Sequence, residues 1–211
     1  MSHVDLSFSV RGQTIPRDHG YALYGALSRV VPELHGAGWL AVHGIGAKLL
    51  GPETLTLHPT GTLRVRIPLD RIGTVLPLAG KIVEIAGRPL IIGVPSVLPL
   101  EPAPVLDARL VVIKLTGGLK HEGLPFAPSD FATRFHAEAS RQLAQLGIAN
   151  ELRILGRSSI KVGGRRVIGC AVQVAALTDE QSILLQVRGI GGKRTMGCGV
   201  FRPARSSSSR T

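Results

Sequence analysis

Val94-Pro95-Ser96-Val97-Leu98-Pro99-Leu100-Glu101-Pro102-Ala103-Pro104-Val105 lies near the middle of a 211-residue chain and divides it. Each of its four prolines fixes φ and lacks an N–H, so the segment reads as an irregular linker over 95–105 joining two domains, 1–94 and 106–205. A hydrophobic fraction of 44% is enough for two small cores. The charge is divided as well: residues 1–103 hold nine Lys and Arg against seven Asp and Glu, whereas residues 104–211 hold sixteen against seven. A net charge of +11 concentrated in one half points to a polyanion partner for that half.

On the N-terminal side of the linker, Val4, Leu6, Phe8 and Val10 alternate as in a strand with one buried face. Asp18 is placed to cap a helix whose Leu23, Leu27, Val30 and Leu34 share one face, with a disturbance near Pro32. Arg29 and Glu33, one turn apart, read as a solvated ion pair. His35 leads into a long glycine-punctuated loop, 36–51, that holds His43 and Lys48, and loops of that length are often functional. Short strands over 55–57 and 63–67, a short helix over 68–78 started by Asp70, and strand material at 82–85 and 90–94 complete a βαββαβ order.

The C-terminal side repeats that order. A strand over 106–115 precedes a helix capped by Ser129, with Phe131, Phe135, Ala139, Leu143 and Leu146 on one face and Gly147 as its stop. Strands over 152–162 and 167–177 flank the turn Gly163-Gly164, and Arg153, Arg157, Lys161, Arg165 and Arg166 make this hairpin basic. Thr178 or Asp179 caps a helix through Val187, and a glycine loop leads to a last strand at Val200-Phe201 and a polar tail, 206–211. The expected fold class is α+β, two tandem ferredoxin-like, RRM-like βαββαβ domains.

The glycine loop runs Gly189-Ile190-Gly191-Gly192-Lys193-Arg194-Thr195-Met196-Gly197-Cys198-Gly199. It is not a P-loop, because Arg194 stands where Ser or Thr must follow Gly192-Lys193, and it is not a dinucleotide fingerprint, because Arg194 occupies the third glycine position. Glycines that admit close backbone approach, together with two cations, suit a phosphate backbone; the plainer alternative is a loop joining helix to strand. Cys170 and Cys198 are too few for a disulfide framework or a four-ligand zinc site and read as buried thiols. With no signal-like start and no apolar run near membrane-spanning length, a cytoplasmic location is expected. Only 4% of residues are aromatic, which favours backbone contacts over a platform of stacked bases.

With that loop, Ile15-Pro16-Arg17-Asp18-His19-Gly20-Tyr21-Ala22-Leu23-Tyr24, Leu34-His35 and the His43 loop, the chain resembles the repeat-associated RNA-binding (RAMP) superfamily of CRISPR systems, most closely its CRISPR-RNA-processing endoribonucleases. The resemblance implies an enzyme that needs no metal or other cofactor, cuts CRISPR repeat RNA in precursor transcripts, and stays on the crRNA guide, with other effector-complex subunits as further partners. A 2′-hydroxyl would attack the scissile phosphate, leaving a 2′,3′-cyclic phosphate and a 5′-hydroxyl. His43 is the first candidate for the base, with Lys48 nearby; His35 is the second, and Tyr24 is a candidate to orient the phosphate. His19 has a structural reading beside a functional one, and His3, His58, His121 and His136 carry no role. RNA binding falls to Arg153, Arg157, Lys161, Arg165, Arg166, Gly189, Gly191, Gly192, Lys193, Arg194, Gly197 and Gly199. The alternative is a non-catalytic RNA-binding subunit of an effector complex.

Overall fold

The computed structural model describes residues 2–115 and 128–204; the Ser129 side chain, His121 and the tail at 206–211 fall outside what it describes. Two compact units form. The first holds Met1–Leu100 with Ile160–Val167 and Arg194–Gly197, and the second holds Glu101–Ser159, Ile168–Lys193 and the chain from Cys198.

In the first unit the order is β1 (His3–Arg11), β2 (Thr14–Pro16), α1 (Gly20–Val30), β3 (Ala41–Val42), β4 (Ala47–Gly51), β5 (Thr54–Leu57), β6 (Thr62–Pro68), α2 (Ile72–Val75), β7 (Ile82–Ile85) and β8 (Arg88–Pro99). The main sheet runs β3-β6-β1-β8-β7, the ferredoxin-like order with β7 added at one edge, and β2-β5-β4 form a small second sheet. The alternation of β1 does what its pattern demands: Val4, Leu6, Phe8 and Val10 are buried with Leu63, Val65 and Ile67 of β6 and with Leu23 and Leu27 of α1.

Several expectations are corrected here. The 36–51 segment is not one loop, since β3 and β4 lie in it. Asp18 does not cap α1: His19 holds the N-cap position, and the Asp18 carboxylate accepts the Lys161 backbone N–H at 2.6 Å. Helix α1 ends at Val30, ahead of a separate 3₁₀ turn at Pro32–Leu34, so Arg29 and Glu33 do not share a helix; Arg29 Nη2 donates to the Glu84 carbonyl at 3.4 Å. The 68–78 helix is three short turns in succession, and Asp70 caps none of them. The supposed linker begins as strand, with Pro95 opposite Phe8 and Pro99 opposite Val4. Strand β7 pairs only with residues 88–91, so past Ile91 one edge of β8 is unpaired by β7 and tolerates residues without an N–H.

The second unit contains β9 (Leu106–Val111), α3 (Pro128–Gln145), α4 (Asp179–Arg188), β12 (Arg202–Pro203) and, apart from the hairpin tip Ile160–Val167 that belongs to the first unit, β10 (Glu151–Val162) and β11 (Arg165–Ala175), with sheet order β10-β11-β9-β12. Phe135, Ala139 and Leu143 of α3 are buried in its core, flanked by Phe131 and Leu146. Gly163 and Gly164 both take positive φ, 55° and 80°, as a two-residue turn of the primed type requires. Thr178 and Gln181 form a reciprocal capping box on α4. Two strands differ from expectation. β9 stops at Val111, and Val112 bridges instead to Gly192 in the glycine loop; the last strand is Arg202–Pro203, because Phe201 is drawn fully into the core.

Candidate active site and nucleic-acid interface

Strand β3 is only two residues long, Ala41 opposite Arg66 and Val42 opposite Val65, and the His43 N–H extends the ladder to the Arg64 carbonyl at 2.8 Å. Strand alternation therefore puts His43 on the same sheet face as Arg64 and Arg66, the face away from the apolar core. Asp5 of β1 lies directly opposite Arg66 on that face. Arg66 grips the Asp5 carboxylate with both prongs, Nε to Oδ1 at 2.8 Å and Nη2 to Oδ2 at 3.1 Å. His43 Nε2 stands 3.7 Å from Asp5 Oδ2, an ion-pair separation longer than a hydrogen bond, and Arg64 Nη1 stands 3.9 Å from the same oxygen.

Apart from Arg64, whose side chain is 39% exposed, this charged group is buried: Asp5 is 3% and Arg66 2% exposed, and the His43 side chain 10%. Burial by itself would raise the Asp5 carboxyl, but His43 and Arg66 beside it outweigh that and hold it well below the usual carboxylate range. Burial is the main influence on His43 and lowers its pKa; Arg66 and Arg64 push the same way, and Asp5 only partly opposes them. A neutral imidazole next to a fixed carboxylate can accept a proton and have the resulting cation stabilised.

His19 is buried at the start of α1. Its Nδ1–H donates to the Pro16 carbonyl at 3.0 Å, and its Nε2 accepts the Ile45 N–H at 3.3 Å, so it straps the segment just past His43 to the helix. The 3₁₀ turn Arg194–Met196 packs against α1 and β3, and a Cβ on Gly20 would collide with the Met196 carbonyl oxygen. Arg194 of the glycine loop thus belongs to the His43 end of α1.

His35 and Tyr24 form a separate arrangement. The Tyr24 hydroxyl donates to the Leu34 carbonyl at 3.3 Å and accepts the Gly36 N–H at 2.7 Å, while its ring stacks on His35 with centroids 6.1 Å apart. His35 is exposed beyond the far end of α1, and an 11-residue helix is about 16 Å long. Lys48 is exposed on β4 opposite Thr56.

The glycine loop has fewer backbone donors to offer a ligand than its composition suggests. The N–H groups of Gly189, Gly191, Gly192, Gly197 and Gly199 donate to Leu185, Gln142, Val112, Arg194 and Leu110 respectively. Gly191 and Gly199 have positive φ, and a Cβ on either would strike a carbonyl oxygen, of Val112 or Ile190. These glycines shape the loop, and its positive charge comes from Lys193 and Arg194. In the hairpin, Arg165 and Arg166 are exposed on β11, Arg153 pairs with Glu151 at 2.6 Å, and the Arg157 guanidinium lies 4.8 Å from the Phe131 ring centroid. Lys161 is exposed, its backbone N–H held by Asp18.

Sequence reasoning missed Asp5, Arg64 and Arg66. The one signal available was a pair of arginines alternating with Leu63, Val65 and Ile67, which also describes an ordinary solvated strand face. Among the described residues no group of three or more His, Cys, Asp or Glu is placed to hold a metal ion, and no helix is long and apolar enough to cross a membrane.

The model of the Cas6 CRISPR family matches residues 4–206, nearly the whole chain. The chain belongs to the Cas6 family. The CRISPR-associated endonuclease Cas6 of Myxococcus xanthus is 40% identical over 203 residues, covering 96% of this chain and 82% of that relative. Among solved structures, a RAMP protein described as binding different RNA substrates superposes with a TM-score of 0.67 at 14% identity, covering 97% of this chain and 100% of the other. Thermus thermophilus Cse3, bound to an RNA representing a pre-cleavage complex, does so with a TM-score of 0.55 at 14% identity and the same coverage. These likenesses agree with the tandem ferredoxin-like α+β class of this Cas6 chain.

Proposed function

We propose that this Cas6 chain is a CRISPR-RNA-processing endoribonuclease in which His43 is the general base. The observation that carries the reading is the placement of His43 beside Asp5, at the end of α1 where Arg194–Met196 packs. With Nε2 turned toward the carboxylate, Nδ1 takes the proton from the 2′-hydroxyl on the 5′ side of the cut. The oxygen attacks phosphorus, the bond to the 5′-oxygen breaks, and that oxygen gains a proton, so the products are a 2′,3′-cyclic phosphate and a 5′-hydroxyl. Asp5, held by Arg66, stabilises the imidazolium formed on the way, and Arg194 and Lys48 are the cations for the charge gathering on the phosphate.

The reaction is metal-independent in this reading. The carboxylate beside His43 is already held by a guanidinium, with a second guanidinium alongside, a set that repels a divalent cation. The His43 site carries the chemistry, while Arg153, Arg157, Arg165, Arg166 and Lys193 hold the repeat RNA and then the crRNA, alone or within an effector complex. The test is incubation of the full chain with its own repeat RNA in EDTA, with product ends analysed. A 2′,3′-cyclic phosphate and a 5′-hydroxyl are expected; tight binding without cutting would make the chain a non-catalytic RNA-binding subunit, and a requirement for Mg²⁺ would overturn the mechanism.

A further inference from the structure

A cleft of about 400 Å³ opens where the turn after β1 meets the start of β8, lined by Arg11, Gln13, Thr14, Gly87, Arg88 and Ile91 among others. The two walls abut at Gly12, where a Cβ would lie 3.0 Å from the Pro89 carbonyl oxygen. Two guanidiniums share the cleft, and no acidic residue is among those that line it. Arg88 Nη2 reaches Thr54 Oγ1 at 3.4 Å, but its Nη1 is buried and makes no hydrogen bond among the described residues. A buried guanidinium nitrogen without an acceptor is costly, and two positive side chains lining one cleft with no acid among its lining residues favour an anion there.

We infer that Arg11 and Arg88 form a phosphate-binding pocket that takes a backbone phosphate of the bound RNA away from the cut. Arg11 is six residues along β1 from Asp5, so the pocket lies about 20 Å from the His43 site. That separation rules out a role in the chemistry. It suits a register contact, one that fixes how far along the RNA the cut falls, since phosphate contacts position a nucleic acid without reading its sequence.

This inference rests on the chain's binding RNA, so the experiment keeps the two apart. An uncleavable repeat RNA, 2′-deoxy at the nucleotide 5′ of the cut, is titrated against the full chain and against Arg11→Met/Arg88→Met over a range of salt, after melting curves show that both fold. If the Met pair does not fold, Arg11→Met alone, at an exposed position, takes its place. The expected result for the Met pair is a salt slope smaller by about 0.7, as when one single-strand phosphate is no longer neutralised, and an affinity at least about fivefold weaker at physiological salt. Unchanged slope and affinity overturn the RNA contact. In that case inorganic phosphate raising the melting temperature of the parent but not of the Met pair would assign the pocket to free phosphate, and no shift in either would remove the anion site altogether. If the parent binds no RNA, the proposed function fails, and the phosphate melting curves alone decide the pocket.

Discussion

Asp5 and Arg66 face each other across β1 and β6 and close a two-pronged ion pair, 2.8 and 3.1 Å, on the side of the sheet away from the apolar core. Buried pairs of this kind are costly to break from one side, because the remaining charge is stranded. Asp5→Leu is expected to destabilise the chain by about 3–5 kcal/mol, and Asp5→Leu with Arg66→Met by distinctly less. Urea denaturation of the two variants measures the difference; equal losses would show that the pair is not coupled.

The lowered pKa of His43 has a sign that can be checked. The unfolded chain protonates this imidazole near the usual value of about 6.5, and the folded chain only at lower pH, so between those two values the unfolded state binds more protons and acidification destabilises the fold. Above about 6.5 the group contributes no slope. As a base it is active when neutral, so the single-turnover rate should rise with a midpoint below about 6.5 and be flat at neutral pH. A midpoint above about 7 would contradict this environment. Asp5 adds stability at neutral pH that is lost as pH falls below about 3.9 toward its depressed folded value.

Gly199 and Gly192 separate two uses of the glycine loop. Gly199 has φ +63° and a carbonyl where its Cβ would be, whereas nothing lies within 4 Å of a Cβ on Gly192. Gly199→Ala should destabilise by more than about 1 kcal/mol, and Gly192→Ala should leave stability within about 0.5 kcal/mol of the parent. Equal melting temperatures for the two would mean that the loop is not shaped by its glycines.

Affinity for repeat RNA should fall steeply with salt, since Arg165 and Arg166 are exposed on the hairpin together with Lys161. Arg165→Ala with Arg166→Ala should reduce the slope of log affinity against log salt by about 0.7 for each phosphate that the variant no longer neutralises. A parent titration with no salt dependence would dismiss the electrostatic account.

What could be read from the sequence was local. The α3 stripe, the Gly163-Gly164 turn and the Thr178 cap each depend on residues a few positions apart, and both βαββαβ orders follow from such signals. The site depends on register: Asp5 and Arg66 are 61 positions apart and meet only because β1 and β6 pair as they do. Taken singly, Asp5 between Val4 and Leu6 reads as a solvent-facing strand position. Pro95 and Pro99 misled for a related reason, since a proline rule for central strands does not hold on an edge that β7 leaves unpaired. The glycines of 189–199 suggested an open cradle, but their N–H groups are taken up by partners such as Gln142 and Val112, remote in sequence.

The most direct test is single-turnover cleavage of repeat RNA by His43→Ala and His35→Ala beside the parent, with binding measured in parallel. A positioned base contributes about 100- to 10,000-fold, so His43→Ala should cut at least about 100-fold more slowly with affinity within a few-fold of the parent, while His35→Ala loses much less. Parent-like cutting by His43→Ala, with cleavage abolished in His35→Ala, would contradict the account and move the chemistry to the Tyr24–His35 end of α1.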